Sequence, residues 1–170
     1  HNNWDLLQAR YIMNVGLVLE DNKEYADGKW REYYIDYVLN RSGIRQWSLT
    51  RLADYGFDAE TGIWAECPGY SSVVINDYAN FANQFDNNLH YDLVKAMPVL
   101  SKAVAATPQY LFPNRMICGF GDTHPGYLNT NFFIRMIQNA QANGKKEQED
   151  YFTALLKCLN PETDADKGEK

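Results

Sequence analysis

Cysteine is scarce in this chain, and the three cysteines lie far apart. Cys67, Cys118 and Cys158 are odd in number, with no Cys-x-x-Cys step and no histidine at ligand spacing. That pattern excludes a disulfide framework and a zinc site, so no metal is expected. The three read as small buried hydrophobes. Basic residues are outnumbered: 16 Lys and Arg stand against 22 Asp and Glu, for a net charge of −6. Nothing forms the basic stripe that phosphate neutralisation needs, which excludes nucleic acid. An acidic ligand remains open, because Arg10, Arg45, Arg51 and Arg115 could form a local cationic cluster. No apolar run reaches membrane-spanning length and no secretion signal is present, so no membrane partner is expected. Gly119-Phe120-Gly121 lacks the third glycine and the βαβ context of a dinucleotide fingerprint. No cofactor is expected either.

Strand-like alternation is also scarce, and helix periodicity takes its place. The 170 residues are one domain by size. The spacing predicts a first helix over 4–20, apolar on most sides and therefore largely buried. A second is predicted over 23–41, with Ala26, Trp30, Tyr33, Tyr34, Tyr37 and Val38 as one aromatic stripe. A third runs from about Ile44 to Tyr55, with Gly56 as its stop. Asp58 to Gly62 reads as a turn. The loop through Pro68-Gly69 then delivers Tyr70 to a fourth helix over 70–85. Residues 89–107 are helical, interrupted at Pro98, which starts a fresh helix. Two more helices are expected over 129–142 and 146–159, split by Asn143-Gly144. The fold class is all-α.

Between Pro108 and Tyr127 the prolines and glycines forbid regular helix. A loop of that length in a compact domain is either functional or disordered, and its apolar and aromatic content speaks against disorder. Both termini read as cut, and the charged stretch 161–170 reads as a disordered tail to a 1–160 domain.

Several side chains could carry chemistry, each with a plainer reading beside it. Asn3 precedes the first helix and is either an N-cap or an amide that binds an acidic ligand, with Asn2 as the alternative cap. Tyr70 is a core aromatic, or a phenol placed where a helix start favours the phenolate. His124, in Gly121-Asp122-Thr123-His124-Pro125, is a loop residue or an acid/base group. His90 reads as a helix-start surface residue, and His1 is terminal. Glu66 and Asp122 either shape their loops or pair as acid and base of a glycoside hydrolase. Trp4 and Trp64 are sugar-stacking walls or packing residues. With 12 Tyr and 4 Trp in the chain, both uses have candidates.

Three segments together resemble a known family: Asn2-Asn3-Trp4, then Ile63-Trp64-Ala65-Glu66-Cys67-Pro68-Gly69-Tyr70, then Gly119-Phe120-Gly121-Asp122. Their order and spacing are similar to the α/α-toroid region of heparinase II/III-type and alginate-lyase-type polysaccharide lyases, over roughly residues 1–160. The resemblance implies part of an α/α toroid, with a β-sandwich elsewhere in the parent protein. It implies an acidic, uronic-acid polysaccharide as substrate and partner, β-elimination as the reaction, and a periplasmic or secreted location. Asn3 would neutralise the uronate carboxylate and Tyr70 would act as base and acid, with His124 as a further catalytic candidate. Asn2, Trp4, Trp64, Glu66 and Arg115 would bind substrate. Cys67 stands where a small residue is usual and Gly69 where Ser is common. An incomplete toroid would be a poor enzyme alone and prone to self-association. The rivals are a non-catalytic glycan-binding helical module and the Glu66/Asp122 hydrolase.

Overall fold

The computed structural model describes residues 3–19 and 24–160. The fold is all-α. Among the described residues no strand forms, and β-pairing is confined to isolated bridges such as Phe57 with Trp64 and Leu111 with Ile117. No helix there is long and apolar enough to cross a membrane. The helices are α1 (Asn3–Val18), α2 (Arg31–Leu39), α3 (Leu49–Gly56), α4 (Pro68–Leu89), α5 (Leu93–Ala96), α6 (Val99–Ala106), α7 (Asn131–Ala142) and α8 (Lys146–Leu159), with a 3-10 turn over Thr107–Tyr110.

α4 is the centre of the fold. Val74, Tyr78, Phe81, Ala82 and Phe85 are all buried on it, at the i, i+4, i+7 spacing that gives a helix an apolar stripe. α1, α6 and α7 pack on α4, while α2 packs on α1 and α8 on α7. The Tyr78 hydroxyl, at the core, donates to the Leu49 carbonyl at 2.8 Å and so satisfies itself while fixing the start of α3. Its burial raises the phenol well above its ordinary value.

The starts of α2, α3 and α4 differ from the periodicity-based expectation, and α4 runs on to Leu89, not 85, so that α5 begins only at Leu93, not 89. α2 begins at Arg31, not 23, because Gly28 takes φ 65° and the Asp27 carboxylate accepts the Lys29 N–H at 3.1 Å. That local turn competes with helix, so Ala26 lies outside the aromatic stripe. α3 begins after Ser48, whose hydroxyl caps Arg51 N–H at 3.2 Å, not at Ile44. α4 begins at Pro68, a first-turn proline whose missing N–H costs nothing there. Pro98 does separate two helices, α5 and α6. Gly56 is the last residue of α3, and close packing explains it. A Cβ at Gly56 would lie 2.0 Å from Cζ3 of the Trp64 ring that covers it.

The long segment after the 3-10 turn is folded by its own backbone. Cys118 N–H donates to Tyr110 O at 2.7 Å and Ile117 N–H to Gly126 O at 2.8 Å. The Thr123 hydroxyl, which accepts the Gly69 N–H, then holds residues 121–124 against the start of α4.

Candidate functional site

A cleft of about 490 Å³ opens at the N-terminal end of α4, lined by Gly69, Tyr70 and Val73 on one side and by Gly121, Asp122, Thr123 and His124 on the other. Tyr70 and His124, proposed separately from distant segments, therefore border the same space. Tyr70 is the third residue of α4 and 38% exposed. The helix start directs a partial positive charge toward this end, which favours an anion nearby by roughly 0.3–1 kcal/mol.

The two walls are tied together by Thr123, which the sequence reading passed over. Its hydroxyl accepts the Gly69 N–H at 2.8 Å, and the residue is buried. Gly69 permits this approach: a Cβ there would meet Thr123 Oγ1 at 3.2 Å and Cα at 3.4 Å. A serine at this position would crowd the contact, so the glycine and Thr123 belong together.

Cys67 occupies the N-cap position of α4 without a regular capping hydrogen bond. Burial pushes its thiol up, while the Thr123 hydroxyl and the backbone N–H groups of Tyr70, Asp122 and Gly69 pull it down. The net position is below the ordinary cysteine value. Cys67 should therefore alkylate with a lower pH midpoint than the same cysteine in the unfolded chain. Iodoacetamide labelling followed by peptide mass mapping measures this. A midpoint at or above the unfolded-chain value would mean that the donors do not reach the sulfur.

The other candidates are distributed as follows. Asn3 opens α1 and is half-buried. It does not line the cleft, and neither does any other α1 residue. Arg10 lies seven residues further on, so Asn3 and Arg10 share one face of α1. Arg10 pairs with Asp77 of α4 at 2.7 Å. Trp4 is 63% exposed. Trp64 is a core residue: it is buried, sits edge-on to Phe57 at 4.9 Å, and leaves no open ring face for a sugar. Its indole N–H donates to Glu66 Oε2 at 2.7 Å, which holds Glu66 away from the cleft lining that contains Asp122. Arg115 is exposed on a turn with φ 67°. Arg51 lies over the Trp47 ring at 4.2 Å, and Arg10 is engaged by Asp77, so these cations serve separate places. His90 ends α4 in a left-handed conformation and does not start a helix. Asn2 and His1, like the tail 161–170, lie outside the described residues. Among the described residues no group of His, Cys, Asp and Glu is placed to hold a metal ion.

The family model described as the endo-acting ulvan lyase 2nd domain matches residues 60–169, more than half of the chain. The matched stretch contains Glu66, Tyr70, Asp122 and His124, while Asn3 precedes it. No curated protein and no solved structure matches the chain.

Proposed function

The chain belongs to the family of the endo-acting ulvan lyase 2nd domain, a polysaccharide-lyase-related family, and from that premise we propose that it serves β-elimination on a uronic-acid polysaccharide, with ulvan as the first substrate to try. The observation that carries this reading is the shared cleft of Tyr70 and His124 inside the matched region.

The chemistry assigns the roles. The proton on C5 of a uronate is weakly acidic, because its removal adds charge to a group that already bears a carboxylate. A neutralising donor makes the enolate-like state accessible, in the manner of an oxyanion hole. Asn3 is the proposed donor, although it stands outside the residues that line the Tyr70 cleft and would have to reach the same sugar from the start of α1. Tyr70 takes the C5 proton, and the electron pair is held in the enolate-like state. That pair forms the C4–C5 double bond as the C4–O bond breaks, and the leaving glycosidic oxygen receives a proton from Tyr70 when both lie on the same side of the ring. His124, across the cleft, is the second proton carrier available to this step. Exposed Trp4 and Arg115 are proposed to touch more distant sugars, and Asn2 to act beside Asn3.

The finer kinship proposed is with heparinase II/III-type and alginate-lyase-type enzymes, the helices forming part of an α/α toroid that works beside a β-sandwich in a periplasmic or secreted protein. A second domain of a lyase lacks groups that its companions supply, and catalytic groups acting as a unit are non-additive. The 170-residue chain alone is therefore expected to be a poor catalyst. The Glu66/Asp122 hydrolase has less support, since Glu66 is bound to the Trp64 indole.

The test is product absorbance. Chain and full-length lyase are incubated with ulvan, alginate, chondroitin and heparan, and ultraviolet absorbance of the unsaturated uronate is followed. Absorbance from the full-length enzyme on at least one of them is expected. Chain cleavage without it would mean hydrolysis and would overturn the reading.

A further inference from the structure

α4 carries a line of residues, polar except for Val73, on the same side as Tyr70. Residues Tyr70, Val73, Asp77, Asn80 and Gln84 follow one another at steps of three and four, which on a helix confines them to a single face. They span about 21 Å at 1.5 Å per residue, the length of several sugar rings. Two depressions open on this face. One is the Tyr70–His124 cleft; the other, of about 200 Å³, is lined by Arg10, Asp77, Asn80, Phe81 and Gln84. α1 and α7 both pack on α4 and share no substantial interface with each other, so this face of α4 is the floor between two walls.

Each wall contributes a guanidinium. Arg10 of α1 donates to Asp77 at 2.7 Å, and Arg135 of α7 donates to Asn76 at 2.7 Å. The Asp77 side chain is only 9% exposed, whereas that of Arg10 is 41% exposed. The carboxylate is thus the buried anchor and the guanidinium the group presented to solvent. Asp77 fixes Arg10 through one nitrogen, and the planar fork keeps further N–H donors for a carboxylate or sulfate. Asn80 and Gln84 beside it are uncharged and can hydrogen-bond sugar hydroxyls in either sense.

We propose that this second depression is a set of outer binding subsites for an anionic polysaccharide, continuous along α4 with the Tyr70 cleft, and that Arg10 is its anion-recognising residue. The proposal rests on the lyase reading of the Tyr70 cleft and extends it. An open groove that engages several residues of a polymer suits a chain bound along its middle. Arg10 acts on substrate remote from the bond that breaks, so its contribution should depend on ligand length.

The experiment measures affinity of the 170-residue chain for ulvan and alginate oligosaccharides of two lengths, a disaccharide and an octasaccharide, by calorimetry, with dextran oligosaccharides as the uncharged control. Arg10→Gln removes the charge. The substitution is expected to weaken octasaccharide binding about tenfold, the loss of one charge-assisted contact, and to change disaccharide binding little. Equal losses for the two lengths, or none, in a folded variant would overturn the groove alone. A wild-type chain that binds no acidic oligosaccharide, or binds dextran equally well, would overturn the groove together with the lyase reading.

Discussion

Replacing Tyr70 by phenylalanine in the lyase that carries this domain is expected to lower β-elimination by about 10²- to 10⁴-fold, the range for loss of a general acid–base group. The unfolding midpoint should stay where it is. The substitution keeps the ring and deletes one oxygen, at a residue that is 38% exposed on the wall of the cleft. A packing role would give the opposite pattern, with activity retained in the folded protein. Asn3→Ala supplies the companion measurement: a transition-state donor removed costs roughly 10²- to 10³-fold in kcat, whereas a merely structural role at the first residue of α1 would leave elimination unchanged in the folded protein. Near-wild-type elimination by folded Tyr70→Phe enzyme would place the proton transfer on another residue and sink the mechanism.

The parts of this arrangement that could be read from sequence are those governed by neighbours along the chain. The α8 boundaries at 146 and 159 follow from clean periodicity after the Asn143-Gly144 turn, where Gly144 takes φ 64°. Pro98 separates α5 from α6 because a proline removes a donor wherever it stands. The start of α2 is not legible from the aromatic spacing of Trp30 to Val38, because the turn chemistry of Asp27-Gly28 overrides periodicity. Ser48 was a legible cap and was passed over for the apolar residue at 44.

The site divides in the same way. Tyr70 and His124 stood out because each sits at a break in helix signal, beside Pro68-Gly69 and Pro125. Thr123 and Cys67 did not, since their partners come from across the fold. The Gly69–Thr123 bond joins residues 54 positions apart, and nothing local to Thr123 announces it. Trp64 shows the reverse case. An aromatic next to a motif reads equally as a sugar wall or a packing residue, and the fold decides: the ring fills the space left by Gly56 and positions Glu66. The Asp77–Arg10 pair lies 67 positions apart, and only the packing of α1 on α4 makes the polar line of α4 into a groove.

The largest structural effect is expected at Gly62. Substitution by alanine should destabilise the chain by about 3–5 kcal/mol, combining left-handed backbone strain with overpacking. Gly62 closes the turn in which Asp58 Oδ1 accepts Thr61 N–H at 2.7 Å and Asp58 O accepts Gly62 N–H at 2.8 Å. Its φ is 77°, and a Cβ would stand 2.4 Å from both Ala103 N and Lys102 C, the backbone of α6. No rotamer change can relieve a clash with backbone, so the turn must lift off α6. Lifting it would also stretch the contact in which Lys102 Nζ donates to Ala59 O at 2.7 Å, and would drag on Trp64, two residues away, which is wedged over Gly56. Through Glu66 and Cys67 the disturbance reaches the start of α4 and the cleft. Gly144→Ala is the matched control: φ is 64°, but nothing lies within 4 Å of the added carbon, so only the conformational strain of about 1–2 kcal/mol applies. Urea unfolding of the two variants isolates the packing contribution by difference. A Gly62→Ala chain that loses no more stability than Gly144→Ala would show that the turn is not seated on α6, and the support that it gives to the Trp64–Tyr70 segment would have to come from elsewhere.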